Sequence, residues 1–332
     1  MNHFSLLLPR AYKGIRLFPV LFIPFFILLY TSCGGGSGGG PSSWLNYTGE
    51  KSFAAISPSN ATDLAIGSIY TGPRIPYIEK FNITGNEQVT ENPAGRIPLR
   101  ELFSSLEKKV NRRSAELFAA NSSYTVATPV QGTETGACGG TFSISGDIDF
   151  STGNFTVSFS IDHYSDCVFT YTGSGSATGV MNVNTYRVKR ITMNYSRLTV
   201  EFNGWSFTGR GTYFINQELV PVMERLDFVS RDDSTGKLYW YRDYQFRTEE
   251  KSDGTGTYYE ISISGTFYDS TEGYVLVTTE VPLIIYAGNQ WPSSGTLLVT
   301  GDGGTWARLE FISPNTYHLF ADTDGDGLTD YD

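Results

Sequence analysis

Residues 322–332 carry the densest chemistry in the chain. Asp322, Asp324 and Asp326 stand at alternate positions, Gly327 follows, and Asp330 comes three residues later. Alternate carboxylates converge when the backbone curls round one hard cation, because Ca2+ takes roughly six to eight oxygen ligands at about 2.3–2.6 Å. On a twelve-residue calcium loop, Asp322, Asp324 and Asp326 fill positions 1, 3 and 5 and Gly327 makes the turn at 6. The Leu328 carbonyl then serves position 7 and Asp330 position 9. The bidentate Glu of position 12 has no counterpart, position 11 being Asp332. The pattern predicts weak calcium binding, or a shell completed by Asp302, Asp332 or the terminal carboxylate. Extracellular calcium, at about millimolar, fills even a weak site. The competing expectation is a solvated acidic tail that holds no ion.

Three cysteines come next: Cys33, Cys138 and Cys167. The last two form an even pair which, in an exported chain, predicts a disulfide. Closing a loop of about 30 residues stabilises by about 3–4 kcal/mol in the chain-entropy model. Catalytic patterns are missing from the sequence. There is no Cys-x-x-Cys, no His-Glu-x-x-His and no Gly-x-Ser-x-Gly. Ser234-Thr235-Gly236-Lys237 has Arg231 where a phosphate loop needs glycine, and Gly173–Gly179 lacks dinucleotide spacing and reads as a flexible turn. His163 is expected in a turn and His318 on a strand. In Leu238–Phe246, simple alternation puts Tyr239 and Tyr241 on one face and Trp240, Tyr244 and Phe246 on the other; such faces pack sheets, stack sugars or line apolar grooves. The expectation is a protein that is not an enzyme.

Arg10, Lys13 and Arg16 precede an apolar run from Leu17 to Tyr30 that contains Pro19 and Pro24. A spanning helix needs about 20 apolar residues, so this shorter run predicts an export signal. It ends in Leu29-Tyr30-Thr31-Ser32-Cys33, which resembles the lipobox of bacterial lipoproteins. The resemblance implies cleavage before Cys33 and a lipid on that residue; the alternative is an ordinary secretory signal cleaved near Ser32. Tyr30 stands where the usual pattern has leucine. The following Gly34–Ser43 stretch is a leash of about 18 Å root-mean-square span. By resemblance to the lipoprotein sorting rules of enteric bacteria, Gly34 at the second mature position implies the outer rather than the inner membrane.

The net charge is -10 over 332 residues. Removing the three early cations makes the rest more acidic still, which excludes a nucleic-acid partner, whose phosphates need basic patches.

Step-like changes in periodicity divide the chain. Residues 1–32 read as signal, 33–45 as tether, 46–123 as a mixed helical segment, 124–321 as an antiparallel β domain and 322–332 as the Asp-rich tail. Ser57-Pro58 predicts a short helix running to about Tyr70. Pro98 opens a second helix whose stripe is Leu99, Leu102, Phe103, Leu106 and Val110. Beyond it the period falls to two. Phe142, Ile144, Ile148 and Phe150, then Phe155, Val157, Phe159 and Ile161, predict a hairpin about Ser151-Thr152-Gly153. Further strands are expected at Ile191–Tyr195, Leu198–Phe202, Leu238–Phe246, Tyr259–Phe267, Tyr274–Val281, Leu297–Val299 and Ala307–Phe311. The fold class is mainly β (α+β): a large meandering antiparallel sheet, curled or partly closed, with one or two N-terminal helices packed on it.

The Asp-rich tail is similar to the calcium repeats of EF-hand, dockerin and thrombospondin type 3 proteins. Tyr47-Thr48-Gly49, Ala54-Ala55-Ile56, Asn60–Leu64 and Cys138-Gly139-Gly140 together resemble β-rich lipoproteins of sediment-dwelling proteobacteria. That resemblance implies architecture and address and carries no activity. The expected function is therefore a lipid-anchored envelope module, periplasmic or surface-facing, structural or binding, with a protein, glycan or apolar partner and calcium as its ion. A carrier of an apolar ligand beneath a curled sheet is the alternative, and a hydrolase the third.

Overall fold

Alternation of apolar and polar residues governs most of the strands from residue 127 onward. A computed structural model describes residues 45–71, 97–98, 112, 116 and 127–330, apart from 186, 203, 288, 290 and 315. Cys33, its leash and Asp332 lie outside the described residues.

The element order is α1 (Ala61–Gly67), β1 (Tyr70–Thr71), β2 (Ile97–Pro98), β3 (Ala127–Thr135), β4 (Thr141–Asp149), β5 (Asn154–Ser165), β6 (Thr170–Met181), β7 (Val188–Phe202), β8 (Trp205–Asn216), β9 (Val222–Asp232), β10 (Leu238–Ser252), β11 (Thr257–Asp269), β12 (Gly273–Tyr286), β13 (Ser294–Thr300), β14 (Trp306–Ser313) and β15 (Thr316–Asp322). Strands β3 to β15 form one 13-stranded sheet in sequence order, each antiparallel to the next, with β3 and β15 as its edges. The predicted meander is what forms, and the sheet is open. One face is buried along its whole width; Phe142, Tyr171, Tyr213, Phe228, Tyr241, Tyr244 and Phe267 are all under 2% exposed.

Aromatic rings and glycines alternate across that face. Phe155 pairs with Gly179 and Phe159 with Gly175. A Cβ on either glycine would lie 2.5 Å from the Cζ atom of the facing ring. The Gly-Ser run is thus the interior of β6 rather than the expected turn: Gly175 and Gly179 are bare because rings from β5 lie over them.

Bulges account for two more differences. Ile191–Tyr195 and Leu198–Phe202 are one strand, β7, with a register shift between Tyr195 and Leu198. In β10 a bulge at Arg242–Gln245, with Asp243 at φ +52, inserts one residue into the alternation. Tyr244 and Phe246 consequently join Tyr241 on the core face, where the Tyr241 and Tyr244 rings meet edge-on at 5.5 Å. His163, expected in a turn, lies within β5 at φ +48, beside another register shift. His318 is on β15 as expected.

Helix α1 is shorter than predicted. Ser57 closes a turn first, its carbonyl accepting the Asn60 and Ala61 N–H groups, so the helix starts after Pro58. Its buried residues Ala61, Leu64, Ala65 and Ile66 face the sheet. Two phenols pin its C-terminal end: the Tyr244 hydroxyl donates to the Ser68 carbonyl at 2.6 Å and the Tyr241 hydroxyl to that of Gly67 at 3.1 Å. Pro98, expected to open the second helix, pairs with Tyr70 in a two-stranded ribbon. That helix's apolar stripe lies outside the described residues. Arg112 and Glu116, one helical turn apart, are described, and Arg112 bonds Glu134 of β3.

Candidate metal centre

Strand β15 ends at Asp322, and the Asp-rich loop begins on the strand's last residue. Asp322 is fully buried. The loop folds back over it, so that the Gly325 N–H donates to Oδ1 at 2.6 Å and the Gly327 N–H to Oδ2 at 2.7 Å. Positive φ at both glycines, +79 and +88, makes this reversal possible. Gly325 is also sterically required, because a Cβ there would sit 2.1 Å from the Gly303 carbonyl oxygen. The loop is thereby seated on the Asp302–Gly304 turn. Its far end is tied back by the Asp330 N–H, which donates to the Ala321 carbonyl at 2.9 Å.

This curl brings oxygens of Asp322, Asp324 and Asp330 within 4.8 Å of one another, one buried and two exposed. Asp330 Oδ2 accepts the Thr323 N–H and hydroxyl and the Asp324 N–H. Those donors, the Thr323 N–H foremost, hold its carboxyl below the usual carboxylate range. Its Oδ1 meets no protein donor among the described residues. Three of the five expected ligand residues converge. Asp326 stands outside the trio; its Oδ1 accepts the Leu328 N–H at 2.7 Å. Leu328 itself is 68% exposed. Asp302 is exposed, and its N–H is used by the Ala54 carbonyl at 2.7 Å.

The donor set suits a hard cation: carboxylate oxygens with free lone pairs, presented by a loop that its own amides hold in place. The same amides also explain Asp322 without an ion, as a carboxylate that organises the turn.

The disulfide is formed. Cys138 and Cys167 have sulfurs 1.97 Å apart and Cα atoms 5.1 Å apart. It joins the β3–β4 turn to the β5–β6 turn, and the Cys138 N–H donates to the Ser165 carbonyl alongside it.

One recurrent device goes beyond the expectations above, which held only the reversal at Ser151-Thr152-Gly153. Asp149-Phe150-Ser151-Thr152-Gly153, Asp232-Asp233-Ser234-Thr235-Gly236 and Asp269-Ser270-Thr271-Glu272-Gly273 are three copies of one hairpin turn. In each, the Asp Oδ1 accepts the N–H groups two and three residues on. In the first two, hydroxyls at those positions bond the same carboxylate. The glycine closes each turn at φ between +75 and +102. The repeated Asp-x-Ser/Thr-x-Gly spacing was the available signal.

No protein-family model, curated protein or solved structure matches the chain.

Proposed function

We propose that this chain is an exported envelope lipoprotein, anchored through a lipid on Cys33, whose sheet serves as a non-enzymatic structural or binding module and whose C-terminal loop takes calcium. The observation that carries the calcium reading is the convergence of Asp322, Asp324 and Asp330 on one point at the end of β15. Three carboxylates that close repel one another, and a divalent cation removes that cost. Asp322, Asp324 and Asp330 would hold the ion. The bound ion would supply fixed positive charge, locking the tail onto the Asp302–Gly304 turn.

Filling of the sheet's buried face by its own aromatic side chains favours a scaffold over a carrier. The anchor reading rests on the sequence around Cys33.

Two experiments test the two halves. Trp306 pairs with Asp322 across β14 and β15, so terbium held by the trio should show tryptophan-sensitised emission that calcium competes away. Absence of sensitised emission overturns the ion site. Replacing Cys33 with Ser should move the protein from the membrane to the soluble fraction, and unchanged membrane association overturns the anchor.

A further inference from the structure

Arginines on the outer, solvent-facing side of the sheet outnumber the acids that answer them. Arg190 of β7, Arg225 of β9 and Arg247 of β10 are exposed, and among the described residues none of the three has a carboxylate within ion-pair distance. Acids are not scarce, since the chain has 34 of them against 24 lysines and arginines. Those nearby are engaged by other groups. Asp227, two residues beyond Arg225, accepts the Trp240 ring N–H at 2.8 Å. Glu249, two beyond Arg247, is paired with Lys251 at 3.3 Å, and Glu218 with Lys189 at 2.8 Å.

Strand register sets the three arginines in two adjacent rows. Arg190, Asn216, Met223, Arg247 and Ser262 are partners in sequence from β7 to β11. The neighbouring row is Thr192, Phe214, Arg225, Gln245 and Ser264. At about 4.8 Å per strand, Arg190 and Arg247 stand about 14 Å apart, with Arg225 between them one row over. Arg225 and Arg247 are diagonal neighbours, about 7–8 Å apart at their roots and within reach of one shared anion. Gln245 lies beside both, and its Oε1 meets the Arg247 Nε at 3.4 Å. Phe214, directly opposite Arg225, is only half-buried.

We infer that this face of β7–β11 binds an anionic polysaccharide through Arg190, Arg225 and Arg247. The inference rests on the binding-module reading of the sheet and names its ligand. A guanidinium fork takes carboxylate or sulfate oxygens two at a time, and these three forks have no internal ion pair to give up. Their spread over about 14 Å suits charges repeated along a polymer better than one small anion. The side chains between them are uncharged. Asn216, Gln245, Ser262 and Ser264 offer hydrogen bonds to sugar hydroxyls, and the Phe214 ring offers a surface for the apolar face of a sugar. A nucleic-acid duplex, with one charge per about 1.7 Å, calls for a denser basic track than three arginines.

The test titrates dextran sulfate and unsulfated dextran into the full chain in neutral detergent and calcium-free buffer, so that neither a membrane nor a loaded acidic loop contributes. The sulfated polymer should bind and the unsulfated one should not. Arg225→Gln/Arg247→Gln should weaken binding at least about tenfold, and Arg225→Lys/Arg247→Lys, which keeps the charge without the forks, should fall between it and the wild type. Lys51→Gln/Arg308→Gln removes the same charge elsewhere and should leave binding within about twofold. No binding of dextran sulfate, equal binding of dextran, or an equal loss in the Lys51/Arg308 pair overturns the site. Tighter binding of a DNA duplex or of anionic phospholipid vesicles overturns the ligand class. None of these results bears on terbium emission or on the Cys33→Ser fractionation, so failure of the glycan site and failure of the lipoprotein reading show separately.

Discussion

Replacing Cys138 and Cys167 together with alanine isolates the entropy of one loop. Both cysteines are exposed, so the substitution removes little packing. The backbone bonds that dock the two turns survive it: Cys138 N–H to the Ser165 carbonyl at 3.0 Å, and Ser165 N–H to the Gly139 carbonyl at 2.9 Å. The folded state should therefore change little, and the cost falls on the unfolded chain, which regains the freedom of a 29-residue separation. Chain-entropy arithmetic for a loop of that size gives about 3.5 kcal/mol at 25 °C. The assay is equilibrium urea unfolding of the soluble chain from Gly34, wild type against the double variant. With a slope of about 3 kcal/mol per molar urea, the midpoint should fall by about 1.2 M. Wild type in reductant should move to the same midpoint. A loss below about 1 kcal/mol would refute the reasoning, because the crosslink would then be restraining little that the sheet does not already hold.

Other residues yield further expectations. Tyr244→Phe leaves the Ser68 carbonyl without its buried donor and should cost about 1–3 kcal/mol in the same unfolding assay. An unchanged midpoint would show that α1 is not pinned by that bond. Gly325→Ala puts a Cβ against the Gly303 carbonyl at φ +79 and should cost about 1–3 kcal/mol, with faster proteolysis of the tail as the local readout. An intact tail at the wild-type rate counts against the seating described above. Asp149 is held down to about 2, first by the Ser151 hydroxyl, then by that of Thr152 and the Ser151 N–H. Its folded value lies below the unfolded one of about 3.9, so its contribution is present above pH 4 and lost as pH falls through 2. Carboxyl NMR titration should place Asp149 there and show a rise in Ser151→Ala/Thr152→Ala; a normal value in the wild type would contradict the turn geometry.

Much of the sheet was legible because its logic is local. Phe142–Phe150 and Phe155–Ile161 alternate strictly, and Ser151-Thr152-Gly153 marks the reversal between them, so strand, face and turn all follow from period two. Legibility fails where the determinant is a neighbouring strand. Nothing inside Gly173–Gly179 says strand; Phe155 and Phe159, across the ladder, do. The Tyr244 face depends on a bulge at Asp243 that no alternation rule contains. In the tail, spacing named the residues, but the curl decides which converge. Asp322, Asp324 and Asp330 meet, while Asp326 turns to the Leu328 amide, a distinction set by backbone bonds to Asp322 from Gly325 and Gly327.

Calcium binding by the Asp-rich loop is most directly tested by calorimetric titration of calcium into the soluble chain from Gly34. The account predicts a saturable single-site isotherm in the wild type at millimolar calcium or below. It predicts loss of that isotherm in Asp324→Asn/Asp330→Asn, with circular dichroism unchanged and the unfolding midpoint not lowered in calcium-free buffer. No heat from the wild type, or equal heat from the variant, would contradict it.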